Sequence, residues 1–124
     1  MHFLKRIQTF FLTLFGKMNK EYVELSNDGF KTFRKEHFKE YSHKASWSDI
    51  AQIRFAIKDM GMWHELFVYI NLDNGQSFWI SEEFENFDAF NEAMIKQFPV
   101  IQKNWHHVGP QGWEKVHTLY ESTN

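Results

Sequence analysis

Two runs of strict alternation constrain this chain more than any other feature. Ile53, Phe55 and Ile57 alternate with Arg54, Ala56 and Lys58, and Leu66, Val68 and Ile70 alternate with Phe67, Tyr69 and Asn71. A period of two is that of a strand with one face on a core. Asp59-Met60-Gly61 can turn the chain between the runs. Asp73-Asn74-Gly75 is a strong hairpin signal, because these residues tolerate positive φ, and Gln76–Ser81 then returns as a strand. Sequential strands joined by short turns predict an antiparallel meander.

The same period extends upstream. Tyr22–Leu25 reads as a strand, Asn27-Asp28-Gly29 as a turn, and Phe30 and Phe33 lead a second strand. A third, with Phe38, Tyr41, His43 and Ala45, alternates weakly and is expected to be exposed on one side. Ser48 and Asp49 have short side chains that bond nearby backbone and favour a turn, so Trp47-Ser48-Asp49-Ile50 reads as a corner rather than as chemistry. After Ser81 the period becomes helical. Phe87, Phe90, Met94 and Phe98 share a face with Ile95 beside them, and Pro99 stops the helix. Glu82, Glu83, Glu85 and Asp88 gather at its start, where negative charge suits the dipole, and Ser81 or Asn86 is placed to cap it. Gly109-Pro110-Gln111-Gly112 marks a loop, after which Trp113, Val116 and Tyr120 fall on one side of a short last helix.

Residues 1–20 differ from the rest. Phe3, Leu4, Ile7, Phe10, Phe11, Leu14 and Phe15 trace one helical stripe, with Lys5 and Arg6 on its polar side. Polar residues interrupt the stripe and no small-residue cleavage site follows, against a secretory signal. It is also too short in apolar residues to span a bilayer. The favoured placement is a helix docked on the domain. The alternative is an in-plane membrane contact through the same residues, with Lys5 and Arg6 drawn to anionic lipid.

Charge narrows the partners. The whole chain carries 14 basic and 16 acidic side chains. Lys5, Arg6, Lys17 and Lys20 account for four of the basic ones, so residues 21–124 hold 10 basic against 16 acidic, a net of −6. An acidic body repels phosphate backbones and argues against nucleic acid. The absence of cysteine rules out disulfides and thiolate chemistry and fits a cytoplasmic compartment, with or without membrane association.

No catalytic, cofactor or metal constellation is legible. His106 and His107 are adjacent, which is not a metal-pair spacing, and no phosphate loop or nucleophile elbow is present. Glu82, Glu83, Glu85 and Asp88 are bunched within seven residues, which suits an acidic patch for a basic partner better than an acid/base pair across a cleft. Lys31, Arg34, Lys35, Lys39 and Lys44 gather on the second and third strands, interleaved with Glu36 and Glu40. Trp63, Trp79, Trp105 and Trp113 are candidate contact anchors.

The short strands, the "WSDI" step, the hairpin through "LDNGQSFWI" and the helix ending in "FP" resemble the bacterial pleckstrin-homology-like domains over residues 21–99. That resemblance implies an α+β fold. Its core would be a strongly bent antiparallel barrel or sandwich of six or seven strands, capped by a C-terminal helix. It also implies a binding scaffold for lipid head groups, peptides or proteins, with no catalytic motif. Size and acidity are similar to those of small immunity proteins that neutralise toxins. The expected organisation is thus a basic amphipathic segment (1–20), a barrel with its helix (21–99) and an extension packed on the domain (100–124). The expected function is non-enzymatic protein binding through Glu82, Glu83, Glu85, Asp88, Trp63 and Trp79, with no cofactor.

Overall fold

The computed structural model describes residues 21–123. The helix expected over residues 1–20 therefore lies outside the described residues. Among the described residues, seven strands form two antiparallel sheets. β1 (Tyr22–Leu25), β2 (Gly29–Glu36) and β3 (Lys39–Ser46) make the first, in the order β1-β2-β3. β4 (Ile50–Asp59), β5 (His64–Leu72), β6 (Ser77–Ser81) and β7 (His117–Glu121) make the second, in the order β6-β5-β4-β7. One α-helix, α1 (Phe87–Gln97), lies between β6 and β7 in the chain. The fold is α+β.

Both alternating runs do what their period requires. Ile53, Phe55 and Ile57 of β4 and Leu66, Val68 and Ile70 of β5 are buried on one face, in register as Ile53↔Ile70, Phe55↔Val68 and Ile57↔Leu66. α1 closes this core with Phe87, Phe90 and Met94, the face read from the helical spacing. The Trp47–Asp49 step is a single 3₁₀ turn that carries the chain from one sheet to the other. Trp47 is buried there between Phe30, at 4.9 Å between ring centroids, and Phe90, at 6.0 Å. Each such ring contributes roughly 2–3 kcal/mol by leaving water. The corner therefore joins both sheets and the helix around one indole.

Four expectations need correction. First, the sheets do not close into a barrel. β4's second edge is taken by β7, and β1 reaches the segment after β6 by one bridge, Tyr22↔Glu85, with no strand ladder. Second, the helix expected after residue 112 is strand β7. His117, Thr118 and Tyr120 of this strand are poor helix formers, and β4 offers unpaired backbone that β7 satisfies. Third, only Asp88 of the four carboxylates lies in the first turn of α1. Glu82, Glu83 and Glu85 precede it in a turn whose backbone joins β1, with Val23 N–H to Glu85 O at 3.0 Å and Glu85 N–H to Glu21 O at 2.9 Å. Fourth, Asn86 occupies the cap position but makes no capping bond. It adopts a left-handed conformation and donates its amide to Val23 O at 3.1 Å.

Candidate functional site

A cavity of about 590 Å³ opens where the far end of the β4–β5 hairpin meets α1 and the chain that follows it. Ile57, His64 and Leu66 come from the hairpin, and Glu82, Phe87, Asp88 and Asn91 come from the β6–α1 turn and the start of the helix. The third wall is the segment 105–113, with Trp105, His106, His107, Val108, Gly109 and Trp113. Each wall is locked to another. Trp105 stands edge-on to Phe55 at 4.9 Å and donates its indole N–H to Asn91 Oδ1 at 2.9 Å. Trp113 lies against the His64 ring at 4.1 Å, and the Glu114 N–H bonds Ile57 O at 2.9 Å. His117 packs on Phe55 and meets Gly112 O at 2.8 Å, which holds the end of the segment.

The chemistry of the lining is one-sided. Among the described residues it presents two carboxylates, one amide, three imidazoles and two indoles, and no lysine, arginine, serine, threonine or cysteine. Such walls accept hydrogen bonds and offer ring faces to a cation. Glu82 is already committed in part, since its Oε1 accepts the Leu66 N–H at 3.1 Å. The β4–β5 loop, which joins the strands that carry Ile57 and His64 of the lining, exposes apolar side chains. Met62 is 90% exposed and Met60 44%, with Met60 N–H bonded to Trp63 O at 2.8 Å. Val116, 58% exposed, follows Glu114, whose carboxylate accepts the Asp59 N–H.

The residues expected to bind a partner therefore separate. Glu82 and Asp88 line the cavity, whereas Trp63 is not among the lining residues and donates its indole N–H to Glu65 Oε1 at 3.1 Å. Glu65 itself is only 8% exposed, and its second oxygen accepts the Ser81 hydroxyl at 2.6 Å. Glu83 and Glu85 are not among the lining residues. Trp79 is elsewhere, half-buried beside Phe67 and Phe84, with the Arg34 guanidinium 4.9 Å above its ring. Arg34 is also 4.6 Å from the Tyr41 ring and pairs with Glu36 at 2.6 Å, so it ties the first sheet to β6.

Trp105 and Trp113 stand out in the sequence as contact anchors and His106 and His107 as a histidine pair, but nothing in their spacing joins them with His64 in one site. Their convergence comes from the pairing of β7 with β4, which draws the segment before it across the cavity. Although three histidines meet there, no group of three His, Asp or Glu side chains among the described residues is arranged to hold a metal ion. No described helix is long and apolar enough to cross a membrane. Comparison of the chain with protein-family models, curated proteins and solved structures gives no match.

Proposed function

We propose that this protein is a non-catalytic binding domain that acts by protein–protein interaction, taking a lysine or arginine side chain of a basic partner into the cavity. The observation that carries this reading is a cavity whose described lining holds two carboxylates and no lysine or arginine, beside a β4–β5 loop with exposed methionines. Cations stack on indole and imidazole faces and bond carboxylates. Methionine supplies an adaptable apolar rim. The net charge of residues 21–124 favours the same partner by long-range attraction. An immunity-type inhibitor of a basic toxin would use these features, and the order of strands, corner and helix supports placing the chain beside the pleckstrin-homology-like domains.

The test is capture of a partner from the producing organism by wild-type protein and by Asp88→Asn and Met62→Ser variants. Each substitution is expected to weaken capture about tenfold while circular dichroism is unchanged. An arginine-containing peptide should also quench Trp105 and Trp113 fluorescence in the wild type. Undiminished capture by both variants, or no response to the peptide, would sink the proposal.

A second reading, peripheral contact with anionic lipid, is favoured by one feature. Phe38 is 88% exposed at the tip of the β2–β3 hairpin, next to Lys39 and near Lys35. Residues 3–15 add further apolar and basic side chains. Flotation with phosphatidylserine vesicles tests it, and protein that stays unbound both with and without residues 1–20 rules it out.

A further inference from the structure

We propose that the outer edge of β3 pairs with the same edge of a second copy of this chain, about a two-fold axis at Ser42. β3 runs for eight residues, and among the described strands it pairs with β2 alone. Its register with β2 is unbroken from Gly29↔Ser46 to Glu36↔Lys39, with no bulge and no proline to blunt the edge. Lys39, Glu40, Tyr41, Ser42 and Lys44 are all exposed.

The hairpin geometry fixes which backbone groups are available. His37 and Phe38 form a two-residue loop, which makes Glu36↔Lys39 a hydrogen-bonded pair. Alternation then points the N–H and C=O of residues 39, 41, 43 and 45 at β2, and those of Glu40, Ser42 and Lys44 away from it. An antiparallel copy must pair outward residues with outward residues. Centring at Glu40 or Lys44 sets like charges opposite each other, and centring at Tyr41 or His43 sets no opposite charges together. Centring at Ser42 places Glu40 opposite Lys44 of the second copy, twice by symmetry, with Tyr41 beside its His43. Within one chain Lys44 stands directly opposite Lys31, an unfavourable like-charge pair. Glu40 of the second copy would offset it. The result is a closed, isologous dimer with a continuous six-stranded sheet.

Sedimentation equilibrium of the full chain at low salt is expected to show a monomer–dimer equilibrium. Glu40→Lys and Lys44→Glu should each weaken it about tenfold, and the double variant should restore it. Ser42→Pro should abolish it, because the N–H lost points away from β2 and the fold is retained. Hydrogen exchange at residues 40, 42 and 44 should slow as concentration rises. A wild-type chain that remains monomeric at millimolar concentration overturns the proposal. So does a dimer that survives Ser42→Pro or is not rescued by the charge swap.

Discussion

Gly29 shows how a residue can be placed correctly and understood for the wrong reason. Next to Asn27 and Asp28 it looks like a turn glycine chosen for positive φ. It has no positive φ, and it begins β2 opposite Ser46. Its role is close approach, since a Cβ there would lie 2.0 Å from the Ala45 carbonyl oxygen and 2.9 Å from Ser46 Cα. Backbone cannot yield as a side-chain end can. Gly29→Ala is therefore expected to destabilise the fold by about 3 kcal/mol or more, read as a lower midpoint in urea unfolding with an unchanged slope. Nothing in the local sequence separates this from an ordinary turn, because the constraint comes from the strand seventeen residues on. Glu65 is a similar case. As a carboxylate in an alternating strand it reads as solvent-facing, yet Ser81 and Trp63 occupy both of its oxygens.

At the scale of elements, alternation and helical spacing were legible because each is a local signal. Strands β4, β5 and β6 and the buried face of α1 all followed from it. The β2–β3 turn was not legible, since His37 and Phe38 are not turn residues. Both hold positive φ, at 50° and 67°, where glycine and asparagine are at ease and an aromatic residue is strained. Replacing them with Asn-Gly should raise stability by about 1 kcal/mol, measured by thermal or urea unfolding. If vesicle binding falls in the same variant, the Phe38 ring is tied to the lipid reading. β7 was missed for a different reason. Its pattern over five residues is too short to distinguish strand from helix, and only the vacant edge of β4 decides it.

At the scale of the molecule, the cavity was half legible. Glu82 and Asp88 stood out as acidic, but the histidine and tryptophan walls come from segments around 57–66 and 105–113 that only the completed sheet brings together. Charge also sets opposed pH responses across the fold. Burial raises the Glu21 carboxyl above its usual value of 4.5, with Arg34 opposing and Glu65 and Glu36 adding to the rise. Burial, and then Arg34, lowers His43 below its usual 6.5. A raised carboxyl favours the folded state at low pH, and this contribution is lost as pH climbs from 4.5 through the folded value. A lowered imidazole contributes stability above pH 6.5 that is lost as pH falls through its folded value. Glu21→Gln should thus stabilise the protein more at pH 7 than at pH 4. His43→Gln should flatten the decline just below pH 6.5, and unfolding midpoints across pH 4–8 check both.

The pairing of β4 with β7 has a consequence for how the molecule is made. β4 ends at residue 59 and β7 begins at residue 117, so roughly sixty residues of synthesis separate the two. At common translation rates that interval is about three to twelve seconds. During it a ten-residue strand at the centre of the sheet leaves the ribosome with one edge bare. Until β7 emerges, that edge has unpaired backbone N–H and C=O groups of the kind that other strands can pair with.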